Sequence, residues 1–214
     1  MFFFINFKVY DESTGKNALS LIRRIEEKFG NSRSIAVVLN PMDSMIETKM
    51  AKFIQTAEPL EPGAYTGHIP IGILPKYGFS GVMINHSENR VSIRTIEESV
   101  MMASRYKLKT LVCAEDVPTI ERVAAFGPDY IAYEPPELIG GDVSVSSARR
   151  EIVAEAAKIL QGKRSALVVG AGIKSKQDIR MSKELGAQGV LVASGVVKSK
   201  EPIRVVEEMM SEVE

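Results

Sequence analysis

One pattern repeats along the chain: a short, uninterrupted run of apolar residues, followed by a longer stretch in which apolar residues recur at helical spacing. The apolar runs are FFFINF (2–7), SIAVVL (34–39), GVMIN (81–85), TLVCA (110–114), DYIAY (129–133), ALVVG (166–170) and GVLVA (189–193). Such runs, rich in β-branched and aromatic residues, are typical of parallel strands that helices cover on both faces. The pattern therefore predicts an α/β fold with a parallel sheet.

One stretch of this pattern is ambiguous. Residues 42–60 fit either one long helix or a short helix followed by a strand at 52–57, and the second interpretation gives eight strands and about eight helices. Such a sheet is either open and doubly wound or closed as a (β/α)₈ barrel, with eight parallel strands and surrounding helices. No glycine-rich dinucleotide fingerprint follows the first strand, where NFKVYDESTG stands, and this favours the barrel.

The domain organisation and the charge are simple. No glycine- or serine-rich linker, charge block or low-complexity segment divides the 214 residues, so we expect one domain over residues 1–214. The 27 basic and 27 acidic residues give a formal net charge of zero. We therefore expect no nucleic acid and no membrane as a partner, although a local positive pocket can still bind a small anion.

Cysteine usage indicates the compartment. Cys113 is the only cysteine, which excludes an intrachain disulfide and fits the reducing cytoplasm. The apolar opening MFFFINFKVY is shorter than the roughly 20 residues that a membrane helix needs, and it lacks a basic flank with a cleavage site. We expect it to be a buried strand. The sequence shows no His/Cys cluster with metal-ligand spacing, and we expect no metal.

Chemically versatile side chains follow several predicted strands. Asn6 and Lys8 come after the first strand, His86 after the fourth and Glu134 after the sixth. Each has an ordinary alternative: a turn asparagine, a surface lysine, a structural histidine or a solvated glutamate. Ligands of parallel α/β folds bind where the carboxyl ends of the strands meet, so we expect these four side chains to share one mouth.

Two glycine-containing turns follow the last two predicted strands. They are GAGI (170–173) and ASG (193–195), and each precedes a helix. Backbone N–H groups at such turns bind anions, and a pair of these turns after adjacent seventh and eighth strands is typical of a phosphate site. Gly172, Ala193 and Ser194 are the candidate donors, although either turn alone would be an ordinary βα connection.

Five segments resemble the triosephosphate isomerase family, in its short archaeal form. They are NFK (6–8), INHSENR (84–90), YEPPELIG (133–140), GAGI (170–173) and VASGVV (192–197), in order from the first strand to the eighth. The resemblance implies a TIM barrel that interconverts dihydroxyacetone phosphate and D-glyceraldehyde 3-phosphate, in glycolysis and gluconeogenesis. It also implies proton transfer through an enediolate, without a cofactor.

The resemblance assigns roles to the candidate residues. Glu134 would be the base and His86 the neutral electrophile, as this family arranges them. Lys8 would compensate negative charge on the phosphate and the enediolate, while Asn6 would bind substrate and orient Lys8. Glu88 either supports this group as the carboxylate of the family's histidine-serine-glutamate run or is only the opening acid of a helix.

The resemblance also implies that a mobile segment completes the phosphate site. Ile139 and Gly140 would join Gly172, Ala193 and Ser194 in binding the phosphate when residues 135–141 close over the ligand. Many family members have Gly-Gly-Ser after the seventh strand, where this chain has Gly-Ala-Gly. A hydroxyl contact to the phosphate is thereby lost.

The segment PGAYTGHI (62–69) is similar to the family's third loop, which inserts into a neighbouring subunit. It implies a homodimer or a homotetramer, with His68 at the surface or the interface, and a plain solvent loop is the alternative. Two other functions stay open. One is another phosphosugar enzyme on the same barrel, such as an epimerase or a synthase; the other is a non-catalytic protein that binds a phosphorylated metabolite.

Overall fold

The computed structural model describes residues 1–138 and 144–213. In them, eight parallel strands pair in chain order and the first pairs with the eighth, so the sheet closes into a barrel. The strands are β1 (Phe2–Asn6), β2 (Ile35–Leu39), β3 (Ala51–Ile54), β4 (Gly81–Ile84), β5 (Lys109–Ala114), β6 (Tyr130–Tyr133), β7 (Ala166–Gly170) and β8 (Gly189–Val192). The expected (β/α)₈ barrel is confirmed, and β3 shows that the ambiguous stretch contains a strand.

Helices surround this barrel unevenly. They are α1 (Gly15–Phe29), α2 (Ile93–Arg105), α3 (Val117–Ala124), α4 (Val145–Ala148), α5 (Arg150–Leu160), α6 (Lys176–Glu184), α7 (Ser194–Val197) and α8 (Pro202–Val213). The β2–β3 and β3–β4 connections contain 3-10 turns instead, at Pro41–Asp43 and Ile71–Tyr77. The α-helix expected early in residues 42–60 is therefore wrong, and these short connections let a barrel close in 214 residues.

Local signals fix the ends of the helices. The Ser92 side chain accepts a hydrogen bond from the Thr95 N–H and so caps α2. At α6, Ser175 and Asp178 form a reciprocal capping box. Gly186 follows α6 with a φ of +94°, a left-handed conformation that glycine adopts without steric cost. Among the described helices, none is long and apolar enough to cross a lipid bilayer.

The barrel interior is a packed core. Inward-facing apolar residues come from every strand: Phe4, Ala36, Val38, Phe53, Met83, Leu111, Cys113, Ala132, Val168 and Leu191. The Phe4 and Phe53 rings meet edge to face with centroids 5.3 Å apart. A Cβ at Gly81 would lie 2.3 Å from the Phe53 ring, so the glycine makes room for this aromatic pair. The alternate strand residues face the second core, beneath the helices.

The alternation of the strands also determines what enters the mouth of the barrel. Successive strand residues point to opposite faces, so the residue two positions after an inward apolar residue points inward again. Asn6 follows Phe4 in this way, and Glu134 follows Ala132. Both polar side chains are buried, which places them above the core at the carboxyl ends of the strands.

Candidate active site

One cavity lies at the carboxyl ends of the strands, and the candidate residues surround it. Its lining includes Asn6, Lys8, His86, Glu134, Gly172, Ala193 and Ser194. Glu88 lines an adjacent cavity, together with Asn6, Lys8 and His86. Ile139 and Gly140 lie outside the described residues. Segments far apart in sequence therefore bring an acid, an imidazole and an amine to the same rim.

Glu134 is a buried carboxylate that faces this cavity. It follows β6, where its backbone N–H donates to the Ala114 carbonyl at 2.9 Å, and only 5% of the residue is exposed. Its Oε2 atom has no hydrogen-bond partner in the described parts of the chain and lies 3.8 Å from Nε2 of His86. A buried oxygen without a hydrogen-bond partner is uncommon in proteins. A role for Oε2 of Glu134 in accepting a proton from a bound ligand would explain it.

His86 is held in one tautomer. The Glu88 backbone N–H donates to Nδ1 of His86 at 3.1 Å. Because Nδ1 accepts this hydrogen bond, it carries no proton, and the proton of the neutral ring lies on Nε2. This N–H is the one that faces the Glu134 side of the cavity. The ring can therefore donate to an oxygen of a ligand.

Lys8 is positioned from two sides. Its Nζ forms an ion pair with Oε1 of Glu88 at 2.6 Å, and its backbone N–H donates to Oδ1 of Asn6 at 3.0 Å. Asn6 also accepts a hydrogen bond from Nε2 of Gln55 at 3.2 Å. Glu88 lies in the turn before the Ser92 cap of α2. It is therefore not the opening acid of that helix but the partner of Lys8.

The backbone is strained around the cavity. Lys8, Asn85 and Ala171 have φ values of 50°, 63° and 70°, in the left-handed region that non-glycine residues rarely adopt. Each of them lies just beyond a strand, at the rim of the barrel. Strained conformations of this kind persist where the surrounding structure enforces them, and they cluster at functional sites.

The β7 and β8 ends supply the wall of the cavity between Glu134 and Lys8, because β7 pairs with β6 and β8 pairs with β1. Gly172 has a φ of 70°, and Ser194 begins α7. The described residues offer no backbone acceptor to the N–H groups of Gly172 and Ser194. Both residues line the cavity. These N–H groups are therefore available to an anion.

Three residues that the sequence interpretation did not single out contact the candidate group. Gln55 donates to Asn6 and also to the Lys8 carbonyl, at 3.1 Å. A Cβ at Gly170 would come within 2.8 Å of Cγ and Oε1 of Glu134, so the glycine leaves room for the carboxylate. Burial raises the pKa of the Cys113 thiol well above its ordinary value, and the Glu134 carboxylate raises it further. Gln55 and Gly170 end or follow strands, a signal that could have identified them.

Sequence comparison decides the family. The family profile described as "Triosephosphate isomerase" matches residues 1–209. The chain belongs to the triosephosphate isomerase family. A protein named triosephosphate isomerase from Thermoplasma volcanium is 39% identical over 188 residues, which cover 87% of this chain and 88% of the relative. A second, from Methanobrevibacter smithii, is 36% identical over 194 residues, which cover 87% of each chain.

A solved structure has the same fold. The triosephosphate isomerase of Bartonella henselae superimposes with a TM-score of 0.72 at 21% sequence identity, over 96% of this chain and 98% of that one. At this identity the likeness supports the barrel architecture. The archaeal relatives and the family profile carry the family assignment.

Proposed function

We propose that the protein interconverts dihydroxyacetone phosphate and D-glyceraldehyde 3-phosphate by proton transfer through an enediolate. One observation carries this proposal: the unpartnered Oε2 of Glu134 lies 3.8 Å from Nε2 of His86, in the cavity that Lys8 also lines. A base, a neutral donor and a cation in one buried site match the needs of enediolate chemistry. The relatives named triosephosphate isomerase support the same assignment.

Each group has one task in this proposal. Glu134 takes the proton from the carbon beside the carbonyl and returns it to the neighbouring carbon, so the base is regenerated. The Nε2–H of His86 donates to the substrate oxygens as negative charge develops on them. Lys8, oriented by Asn6, compensates that charge and the charge of the phosphate. Glu88 in turn orients Lys8 through their ion pair.

The phosphate would lie against the β7 and β8 ends. Backbone N–H groups of Gly172, Ala193 and Ser194 would donate to it, and by resemblance Ile139 and Gly140 would add theirs. Neutral amide donors and helix starts bind phosphate without a metal. This wall lies beside the end of β1, because β8 pairs with β1, so the ammonium of Lys8 would lie near the phosphate as well as near the reacting carbons.

A coupled assay of the purified protein with both triose phosphates tests this function. We expect turnover in both directions, and a loss of about a thousandfold or more in kcat for Glu134→Gln, because the amide cannot accept the proton. Glu121, exposed on α3 outside the barrel, supplies the matched control: Glu121→Gln should keep full activity.

Other outcomes would point to the other functions. Tight binding of phosphoglycolate without turnover would indicate a non-catalytic binding protein. Turnover of a different phosphosugar, with none of the triose phosphates, would indicate an epimerase or a synthase. Near-normal activity of Glu134→Gln would show that Glu134 is not the base.

We further propose a homo-oligomer in which residues 62–69 insert into a neighbouring copy. The base of this loop is fixed, since Glu61 contacts both Tyr106 and Arg105 on the α2 side. Its tip is open, with Tyr65 43% exposed. The cavity beside Lys8, lined also by Gln55 and Glu88, is the receiving site that we propose. Light scattering should give the mass of a dimer or a tetramer, whereas a monomer at micromolar concentration would contradict the proposal.

We also propose that residues 1–214 act as one domain in the cytoplasm. The pairing of β1 with β8 joins the first strand to the eighth, which supports one cooperative unit. The buried free thiol of Cys113 is compatible with a reducing compartment. A single unfolding transition seen by both fluorescence and circular dichroism would support one domain, and two separate transitions would contradict it.

A further inference from the structure

A second lysine lines the active-site cavity. Among the described residues that line it, the two lysines are Lys8, after β1, and Lys174, after β7. Lys174 lies beyond Gly172 and Ile173, on the wall formed by the β7 and β8 ends. The two cations therefore approach the cavity from different strands, and Lys174 comes from the side of the backbone N–H groups proposed for the phosphate.

The stem of Lys174 lies on the next turn. A Cβ at Gly195 would come 3.3 Å from Cα and 3.5 Å from Cγ of Lys174. The missing side chain at Gly195 thus leaves room for the lysine stem beside Ser194. The nearest atom to this Cβ would be the Ile173 carbonyl oxygen at 3.0 Å, so the turns after β7 and β8 pack closely against each other at Lys174.

The backbone of Lys174 is fixed from the other side. Its N–H donates to Oδ2 of Asp178 at 3.1 Å, and the Ser175 N–H donates to the same oxygen at 2.9 Å. These bonds tie the turn after β7 to the first turn of α6. The Cα of Lys174 is therefore held in place. The position of its ammonium can change only through rotation about the side-chain bonds.

We propose that Lys174 is a second phosphate-binding cation, which recognises the dianion of the substrate from the β7–β8 side of the cavity. This inference rests on the proposed function. A lysine suits the task, because its ammonium is a point charge on a flexible stem that can follow a phosphate oxygen. The phosphate is unchanged by the reaction, so Lys174 stabilises the bound substrate and the transition state equally. Its contribution therefore lies in KM and in ligand affinity, not in kcat.

The test compares Lys174→Gln with Lys176→Gln, which removes the same charge two positions further on, at the exposed start of α6. Calorimetry with inorganic phosphate and with phosphoglycolate measures affinity, and the coupled assay measures KM and kcat. For Lys174→Gln we expect affinity and KM to worsen about threefold to tenfold, as for a partly exposed charge pair, with kcat within about twofold of wild type. Lys176→Gln should match wild type, and Lys174→Arg should restore most of the affinity.

Two results would overturn the inference. Unchanged phosphate affinity in Lys174→Gln would show that the ammonium does not contact the anion. An equal loss of phosphate affinity in Lys176→Gln would show that both lysines act through long-range electrostatic attraction and that Lys174 makes no local contact with the phosphate. The calorimetric measurement of phosphate affinity needs no turnover. A wild-type protein that binds phosphate through Lys174 but does not isomerise triose phosphates would therefore contradict the proposed function and leave this inference standing.

Discussion

The backbone N–H of Glu88 donates a hydrogen bond to Nδ1 of His86, with 3.1 Å between the nitrogens. This contact places the proton of the neutral imidazole on Nε2, which lies 3.8 Å from Oε2 of Glu134. Apart from proline, no substitution at position 88 removes this backbone donor, so the tautomer is determined by the path of the chain from His86 to Glu88. The catalytic proposal depends on this choice of nitrogen.

Nitrogen NMR of histidine-labelled protein tests the tautomer. We expect one of the two histidines to show an unprotonated Nδ1 and a protonated Nε2 at neutral pH, and this signal to vanish in His86→Gln. Assignment of the proton to Nδ1 of His86 would contradict the geometry, because the ring could then donate nothing to a ligand from Nε2.

Removal of the Glu88 charge tests the positioning of Lys8. In Glu88→Gln the ion pair with Lys8 is lost, while the backbone N–H that holds His86 is retained. We expect kcat/KM to fall about tenfold through misplacement of the ammonium, with unchanged thermal stability. Glu98→Gln, on the exposed side of α2, is the control. Unchanged kinetics in Glu88→Gln would show that the ion pair does not orient Lys8.

Two glycine-to-alanine changes separate the site from the core. In Gly170→Ala, the new Cβ would lie 2.8 Å from the Glu134 carboxylate, so we expect kcat to fall about a hundredfold through displacement of the base. In Gly81→Ala, the new Cβ would lie 2.3 Å from the Phe53 ring, inside the barrel. There we expect a loss of about 1–3 kcal/mol in the free energy of unfolding from overpacking.

Kinetics and urea unfolding of both variants check this contrast. Gly170→Ala should lose activity out of proportion to its stability, and Gly81→Ala should do the reverse. If Gly170→Ala kept wild-type kcat, the close approach of the glycine to Glu134 would have no role in placing the carboxylate.

The ionised carboxylate of Asp129 should make the free energy of unfolding fall when the pH is lowered into the acid range. Burial raises the pKa of Asp129, but hydrogen bonds from Lys109, Thr110 and Arg164, together with the charge of Lys109, outweigh this and hold the pKa below its ordinary value. A depressed carboxyl pKa contributes stability above the unfolded-state pKa of about 3.9, and this contribution is lost as the pH falls through the folded-state pKa. We therefore expect Asp129→Asn to cost about 1 kcal/mol or less at neutral pH, because the partners Lys109 and Arg164 are exposed and the solvent screens their attraction to the half-buried carboxylate.

Unfolding of wild type and Asp129→Asn across the acid range checks this prediction. The difference between them should shrink as the pH falls below 4. A difference that stayed constant from neutral pH to below pH 3 would show that the charge of Asp129 does not stabilise the folded state.

The sequence predicted most of the strands because a closed parallel barrel buries both faces of each one. The continuous apolar runs record that burial directly. β3 was ambiguous because it contains Lys52, a charged residue that is only 4% exposed. The Lys52 ammonium donates to the carbonyls of Ser44 and Ile46, at 3.1 and 3.0 Å. These hydrogen bonds form only in the folded chain, so the local sequence around Lys52 does not predict them.

The candidate site was predictable to the extent that it follows from strand ends. Glu134 and Asn6 come two positions after inward apolar residues, and the parallel arrangement brings all such positions to one rim. Gln55 was missed because the limits of β3 were uncertain. The role of Gly170 was not predictable, because it depends on a contact with Glu134 on the neighbouring strand β6. The helix expected in residues 42–60 was also wrong, because a 3-10 turn at Pro41–Asp43 stands where the local spacing favoured a helix.

Isomerisation in deuterium oxide tests the central claim most directly. If Glu134 removes and returns a proton through an enediolate, D-glyceraldehyde 3-phosphate formed from dihydroxyacetone phosphate should carry solvent deuterium at the carbon beside the carbonyl. Glu134→Gln should form almost none of this labelled product. Undiminished formation of labelled product by Glu134→Gln, at a rate near that of the wild type, would contradict the account.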